Sequence, residues 1–432
     1  MRNHKNNYSF INLNLNVRGL PQSATLAINE KSNQLKKQGK MIYRLGLGQS
    51  PFPVPQQVVD SLKNNAHQKD YLPVKGLPEL RNAVADYYCR KTRVCFNGED
   101  VMIGPGSKEL MFLLQLVYYG DLVIPTPSWV SYAPQADIIG RHVRWINTSR
   151  ENNWLLKPAD LVEHCKDDPD KPRIVILNYP SNPCGVTYTI EELKAFARVA
   201  RQYRIILLSD EIYGELHFQG RHSSIAQFYP EGTIISSGLS KWCGAGGWRL
   251  GIFVFPESLR WLQNAIANVA SETFTSTSAP IQFAAVQAFR GSEQIESYLL
   301  RARWILQIIG KYIARKLKEN GINVASPEGA FYLFPDFSSY SEKLKKRGIT
   351  NSIQLCERLL DETGVAILPG YSFGRPLEEL TARIAYVDFD GTKAMSYALS
   401  ISQKKDLNHD FLSAYCGNLI DAIDLIVNWL NN

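Results

Sequence analysis

The sequence of 432 residues lacks the patterns that mark several large classes of protein. Its seven cysteines form no C-x-x-C pair, which argues against zinc ribbons and thioredoxin-like redox sites and indicates reduced thiols in a cytoplasmic protein. The seven histidines show no H-E-x-x-H spacing, so no metal site is expected. No apolar run reaches about 18 residues, and the N-terminus shows no apolar signal-peptide core. We therefore expect neither a membrane span nor a signal peptide.

What the chain does contain is an ordinary globular composition, with 45% hydrophobic and 21% charged residues. The 48 Lys and Arg residues against 41 Asp and Glu residues give a formal net charge of +7, which suits an anionic ligand. The basic residues are spread along the chain and form no basic arm, which argues against nucleic-acid binding. The length predicts two or three domains.

Short runs rich in Val, Ile and Leu alternate with helix-like stretches between about residues 60 and 290. This alternation predicts an α/β fold whose mostly parallel central sheet is covered by helices on both faces. The predicted strands are the runs at 101–103, 121–125, 173–178, 204–210, 233–237 and 251–255. After about residue 290, a long amphipathic segment leads into a smaller α+β pattern. We therefore predict an N-terminal arm at 1–20, a large domain at 61–305, and a small domain built from 21–60 and 306–432.

Chemically reactive residues follow the predicted strands, and ligands of such sheets bind beyond the carboxyl ends of the strands. Lys241 follows the run at 233–237 in a glycine-rich loop, with Arg249 eight residues further on. A lysine beside other cations in a pocket has a lowered pKa and becomes a nucleophile toward carbonyl groups. Asp210 ends the preceding predicted strand. An amine and a carboxylate are what pyridoxal 5'-phosphate requires, the first for a Schiff base and the second for its pyridinium nitrogen.

A phosphate site is predicted where Gly-Pro-Gly-Ser-Lys, residues 104–108, opens a predicted helix at 107–118. Backbone N–H groups at a helix start, together with the Ser107 hydroxyl, would face an anion. The spacing of a P-loop is absent. Arg249 would add a charge-assisted, two-pronged hydrogen bond.

A series of motifs extends in order from about residue 20 to residue 390. Together they resemble the class I/II aminotransferases, the aspartate aminotransferase-like group with the type I fold of pyridoxal-phosphate enzymes. The motifs are LGLGQSPFPVP (45–55), DYLPVKGLPELRNAV (70–84), GPGSKEL (104–110), PTPSWVSY (125–132), NYPSNPCG (178–185), SDEIY (209–213), SGLSKWCGAGGWRLG (237–251), GAFYLFPDF (329–337), GVAILPG (364–370) and RIAYV (383–387).

The resemblance implies roles for residues around the cofactor ring. Lys241 would form the Schiff base and then move a proton, and Asp210 would keep the pyridine nitrogen protonated. Tyr213 and Asn182 would hydrogen-bond the 3′-oxygen of the cofactor. Trp129 would stack on the ring. These five residues form the predicted centre of the site.

The resemblance also implies how the ends of cofactor and substrate are bound. The phosphate would be held by Ser107, Lys108 (mainly through its backbone), Ser240 and Arg249. Tyr71 would reach the phosphate of a neighbouring subunit, which implies a homodimer with shared active sites.

For the substrate, the resemblance implies that Arg383 grips the α-carboxylate with a two-pronged fork. The backbone of Gly48 would close over the same carboxylate. Trp129 and Asn182 would also line the substrate site. In this family, the N-terminal segment and the small domain move to exclude water.

The implied activity is a ping-pong transfer of an amino group from an L-amino acid to a 2-oxo acid. An aspartate- or glutamate-type enzyme using 2-oxoglutarate is the leading hypothesis. The stretch 271–279 contains no arginine for a distal carboxylate, which leaves Arg18 and Lys108 as candidates. An aromatic or broad-range aminotransferase and a pyridoxal-phosphate-dependent lyase remain alternatives, as does a binding protein that has lost catalysis. Gly238 stands where many relatives carry a phosphate-binding serine, and residues 391–415 receive no function.

Overall fold

The computed structural model describes residues 12–401 and 409–432, so residues 1–11 of the predicted arm lie outside the described residues. Twelve strands are present in this part of the chain. They are β1 (Tyr43–Arg44), β2 (Val101–Gly104), β3 (Asp121–Thr126), β4 (Val143–Asn147), β5 (Arg173–Asn178), β6 (Ile206–Asp210), β7 (Thr233–Gly238), β8 (Gly251–Val254), β9 (Tyr332–Leu333), β10 (Val365–Ala366), β11 (Leu368–Pro369) and β12 (Ala382–Ala385).

Fifteen α-helices accompany these strands within the same described ranges. They are α1 (Ala24–Lys37), α2 (Gln56–Asn64), α3 (Pro78–Thr92), α4 (Ser107–Val117), α5 (Tyr132–Ile138), α6 (Pro158–Cys165), α7 (Ile190–Gln202), α8 (Arg260–Thr273), α9 (Ala279–Arg290), α10 (Glu293–Glu319), α11 (Ser341–Lys346), α12 (Ser352–Thr363), α13 (Gly391–Ser400), α14 (His409–Tyr415) and α15 (Gly417–Asn431).

Seven of the strands form the central sheet, in the order β2-β8-β7-β6-β5-β3-β4. The pairs from β7 through β6, β5 and β3 to β4 are parallel, whereas β8 runs antiparallel to both β7 and β2. The predicted α/β class with a mostly parallel central sheet is confirmed. Apolar clusters on both faces of the sheet bury the strands against helices.

The edge strand β4 is absent from the prediction, and its side chains explain why. In the sequence Val-Arg-Trp-Ile-Asn only Ile146 is buried, and Trp145 is exposed. The strand pairs with β3 alone, so one side of it needs no neighbouring strand. A strand of this kind lacks the continuous apolar run that reveals a fully buried strand in a sequence.

Two small sheets lie outside the central one. β1 pairs in parallel with β10, which joins a segment near the start of the chain to one more than 300 residues later. β9, β12 and β11 form an antiparallel sheet of three short strands. The motifs at 329–337 and 364–370 are rich in apolar residues, but each strand within them has only two residues.

The longest helix, α10, has 27 residues and begins with a Ser292 side chain that accepts a hydrogen bond from the Ile295 N–H. Glu293 and Glu296 lie in its first turn, and lysines lie in its last turn, as the helix dipole favours. The predicted boundary between residues 305 and 306 falls inside this continuous helix. The division into a large and a small domain stays a prediction.

Several expected absences can be compared with the described residues. In residues 12–401 and 409–432, no helix combines the length and apolar character that a membrane crossing requires. The same residues contain no group of three or more His, Cys, Asp or Glu side chains arranged to hold a metal ion. All seven cysteines fall within these ranges, and all are free thiols.

Candidate active site

Five strands of the central sheet point their carboxyl ends or the loops that follow them toward one region. Lys241 follows β7, Asp210 ends β6, and Asn182 lies four residues after β5. Trp129 follows β3, and Ser107 opens α4 shortly after β2. The structure therefore gathers, at one edge of the sheet, residues that are far apart in the chain, as parallel strand topology predicts.

The amine of Lys241 lies among charged side chains. It donates a hydrogen bond of 2.7 Å to the carbonyl oxygen of Gly48 and lies 5.7 Å from the centre of the Tyr213 ring. Burial, with the positive charge of Arg383, lowers the pKa of Lys241 to about 8, although Asp210 opposes this shift. An amine with this pKa is partly neutral near pH 7, which a nucleophile or a base requires.

Asp210 is a buried carboxylate, and the sequence did not reveal its main partner. The Tyr132 hydroxyl donates a hydrogen bond of 2.5 Å to its Oδ2 atom. Burial raises the pKa of Asp210 to about 6, although the bonds from Tyr132 and from the Ile212 N–H act in the opposite direction. Tyr132 ends the motif PTPSWVSY, but its meeting with a residue 78 positions later depends on the tertiary structure.

The segment before α4 forms a cradle for an anion. Gly106 has a φ of +95°, and a Cβ atom there would lie 2.1 Å from Nη2 of Arg249. Arg249 itself donates hydrogen bonds to the carbonyl oxygens of Gly246 and Pro105. Backbone N–H groups of the 11-residue helix and a guanidinium thus lie together, with no room for a side chain between them.

Arg383 is a fully buried guanidinium. It donates hydrogen bonds of 3.0 Å to Oδ1 of Asn182 and 2.5 Å to the carbonyl oxygen of Gly46. Its Nε atom is buried without a hydrogen-bond partner, and no carboxylate of the described residues forms an ion pair with it. Burial lowers the pKa of Arg383 from its usual value. A buried cation with no anion beside it is able to bind one.

Tyr332 is a second site residue that sequence reasoning did not single out, although it lies in the motif GAFYLFPDF. Its hydroxyl is 2.7 Å from the Tyr213 hydroxyl, and its ring centre is 4.7 Å from the Arg383 guanidinium carbon. A Cβ atom on Gly48 would lie 1.9 Å from the same hydroxyl, so position 48 has room only for glycine. Tyr332 therefore contacts three of the predicted site residues.

The other predicted residues occupy different parts of this region. The Lys108 amine lies 5.3 Å from the centre of the Trp129 ring, and burial and Arg249 lower its pKa. Ser240 is half-buried beside Lys241. Tyr71 is 90% exposed.

The candidate Arg18 is exposed in the N-terminal segment of the described chain. The glycine at position 238, where many relatives carry a serine, has a structural explanation. A Cβ atom there would lie 2.6 Å from the carbonyl oxygen of Leu250.

These groups fit pyridoxal phosphate at each of its functional ends. The cradle at Gly106 and Arg249 suits a phosphate, and the amine of Lys241 suits an aldehyde. The carboxylate of Asp210 is buried and has no ion-pairing cation in the described chain, which suits a protonated ring nitrogen. Asp210 and Lys241 are close enough to influence each other's pKa.

Comparisons with known proteins agree with this arrangement. Residues 40–390 match the family described as "Aminotransferase class I and II". An aspartate aminotransferase of Bacillus sp. (strain YM-2) is 33% identical over 380 residues, which cover 86% of this chain and 93% of the relative. An asparagine–oxo-acid transaminase of Streptococcus mutans is 31% identical over 376 residues, which cover 84% of this chain and 92% of the relative.

A solved structure supports the same assignment. The aspartate aminotransferase from Thermus thermophilus with maleate matches with a TM-score of 0.80 at 29% identity, covering 90% of this chain and 98% of that one. The central sheet and its flanking helices are thus the type I fold of pyridoxal-phosphate enzymes. On the extent of these matches, and on a site that fits the cofactor, the chain belongs to the class I and II aminotransferases.

Proposed function

We propose that the protein is a pyridoxal-phosphate-dependent aminotransferase that moves an amino group between an acidic L-amino acid and a 2-oxo acid, with 2-oxoglutarate as the acceptor. The observation that carries the proposal is the pairing of two cations in one pocket. Arg383 is buried without an anion, and its charge is near enough to lower the pKa of the Lys241 amine.

Arg383 is proposed to bind the α-carboxylate of the substrate. Its guanidinium is held in place by Asn182 and by the Gly46 carbonyl, so its plane is fixed before a substrate arrives. A fixed planar fork suits the two oxygens of a carboxylate better than a flexible ammonium does. Binding through the α-carboxylate is common to all α-amino acids and therefore explains reactivity but not side-chain preference.

Lys241 and Asp210 are proposed to perform the proton chemistry. When bound, the cofactor supplies an aldehyde and an electron-withdrawing ring. The neutral Lys241 amine removes the proton from Cα of the substrate, which its pKa of about 8 permits. Asp210, oriented by Tyr132, would hold a proton on the ring nitrogen. Ser107, Ser240 and Arg249 would bind the phosphate.

Lys108 is the proposed contact for a distal carboxylate. Its amine lies over the ring of Trp129, another predicted site residue, whereas Arg18 is exposed in the N-terminal segment of the described chain. The charge of Lys108 also makes a small contribution to lowering the pKa of Lys241, which supports a place for it near the amine. A cation at this place favours aspartate and glutamate over neutral side chains.

The assembly and location are part of the same proposal. Tyr71 is 90% exposed on a loop before α3, from which it would reach the phosphate site of a neighbouring subunit. We propose a homodimer on this ground. Seven free thiols support a reducing compartment, the cytoplasm.

A half-reaction screen tests the proposed substrate class. The holoenzyme is mixed with each L-amino acid, and the loss of the visible absorbance of the bound cofactor is followed. Aspartate and glutamate should react fastest. Lys108→Met should lower kcat/KM for these two by about 10- to 100-fold, the size of a lost charge-assisted hydrogen bond, and should change the value for tyrosine much less.

Lys194→Met is the matched control, because the Lys194 amine also lies over an aromatic ring, that of Phe228, and neither residue is among the predicted site residues. It should leave every rate unchanged. Faster reaction with aromatic amino acids would favour the aromatic or broad-range alternative. Release of ammonia or of a side-chain fragment without conversion of the cofactor would favour a lyase.

A further inference from the structure

Tyr332 lies between Tyr213, which is predicted to contact the cofactor, and Arg383, which is proposed to bind the substrate. Its side chain is buried, on a strand of the small three-stranded sheet, and it reaches Arg383 on the neighbouring strand β12 and Tyr213 after strand β6 of the central sheet. Its hydroxyl is 2.7 Å from that of Tyr213, at a separation of 119 residues in the chain. Its ring face lies 4.7 Å from the guanidinium carbon of Arg383.

The two hydroxyl groups share a single hydrogen bond, and either oxygen can be the donor. A tyrosine hydroxyl has one proton and can also accept a hydrogen bond. When an acceptor faces Tyr213 on its other side, the Tyr213 proton turns to that acceptor. The Tyr332 proton must then complete the pair. Tyr213 can therefore donate toward the cofactor without losing its contact with Tyr332.

We propose that Tyr332 is a positioning residue, which orients the Tyr213 hydroxyl as a donor to the 3′-oxygen of the cofactor by donating a hydrogen bond to it. The proposal rests on the proposed function, because it requires the cofactor beside Tyr213. A hydroxyl that accepts one hydrogen bond becomes a stronger donor in the next. The aromatic ring, by contrast, serves Arg383 through a cation–π contact. One side chain thus performs two separable tasks.

The effect of the Tyr332 hydroxyl on Tyr213 can be measured separately from the effect of the Tyr332 ring on Arg383. The charged groups that face the pair of tyrosines are Lys241, whose amine lies 5.7 Å from the Tyr213 ring centre, Asp210 and Arg383. We expect all three to keep their places when Tyr332 is changed to Phe, because the ring that packs on Arg383 and Phe331 is retained. The substitution removes one oxygen atom.

The test is a pH titration of the visible absorbance of the bound cofactor, which does not depend on turnover. A hydrogen bond donated to the 3′-oxygen stabilises the ionised form of that oxygen. The cofactor then loses its proton at a lower pH, so the midpoint of its titration falls. Tyr332→Phe should therefore raise the midpoint by about 0.2–0.5 pH unit. Tyr213→Phe should raise it further. In the double variant, the Tyr332→Phe change should add nothing, because its effect passes through Tyr213.

Two comparisons exclude general damage to the site. Tyr386→Phe removes another buried hydroxyl, one that is 3.5 Å from the Ala330 carbonyl oxygen, and should leave the midpoint unchanged. Succinate, a dicarboxylate without an amino group, probes carboxylate binding alone. In Tyr332→Phe, its dissociation constant should stay within about twofold of the wild-type value, because the ring over Arg383 remains.

The outcomes separate this inference from the proposed function. An unchanged midpoint in Tyr332→Phe, or the same rise in the Tyr213→Phe background as in the wild type, would overturn the inference while leaving the aminotransferase intact. A wild-type protein that takes up no pyridoxal phosphate would overturn both.

Discussion

Lys241 shows how a protein prepares an amine for reaction at neutral pH. Its usual pKa of 10.5 would leave almost no free base, whereas burial and the nearby Arg383 lower it to about 8. The same shift affects stability. The neutral amine is favoured in the folded cofactor-free protein, so its contribution to the free energy of unfolding is fully present above pH 10.5 and is lost as the pH falls from there through about 8.

The rate of cofactor uptake should report this pKa. We expect the second-order rate constant for binding of pyridoxal phosphate to the cofactor-free protein to rise about tenfold per pH unit below 8 and to level off above it, because only the neutral amine attacks an aldehyde. Stopped-flow absorbance measures this rate. Lys241→Ala should form no borohydride-reducible link at any pH, and a wild-type midpoint near 10.5 would contradict the lowered pKa.

The start of α4 requires glycine at position 106 for two independent reasons. Its φ of +95° is unfavourable for other residues, and a Cβ atom would meet Arg249 at 2.1 Å. The first reason concerns the stability of the fold, and the second concerns the guanidinium that completes the cradle. A control glycine with one property but not the other can separate them.

Gly106→Ala should weaken binding of pyridoxal phosphate by about 10- to 100-fold, as expected when Arg249 is displaced from an anion. Gly291→Ala is the control, because Gly291 has a φ of +74° and no atom within 4 Å of the added Cβ. Both variants should lose about 1 kcal/mol of unfolding free energy, but Gly291→Ala should keep its cofactor affinity. Equilibrium dialysis measures the affinity, and equal losses in both variants would contradict a role for the cradle.

At the level of elements, the sequence predicted what depends on local pattern. The buried central strands appear as apolar runs, and Lys241 and Asp210 stand out because one follows such a run and the other ends one. β4 remained hidden because only one of its side chains is buried. Tyr132 and Tyr332 remained hidden because the residues that their hydroxyl groups contact lie 78 and 119 positions away in the chain.

For the whole molecule, the exposed side chain of Tyr71 leads to a prediction about the oligomeric state. Sedimentation of the holoenzyme should give about 98 kDa, twice the 48.8 kDa of the chain. Tyr71→Phe should lower the affinity for pyridoxal phosphate severalfold without changing this mass, because the hydroxyl would serve the neighbouring site. A monomer that binds the cofactor with full affinity would contradict the shared site.

The hydrogen bonds of Arg383 have a consequence for ligand choice in the molecule as a whole. Gly46 and Asn182 surround the guanidinium with neutral dipoles, which replace water but do not cancel its charge. Among the described residues, no anion balances it. The guanidinium is therefore hydrogen-bonded but carries an unbalanced charge, which a bound carboxylate would neutralise if Arg383 has the role proposed above. An amide or ester of the same shape would bring no charge, so such a site would distinguish an acid from its neutral derivatives by net charge as well as by fit.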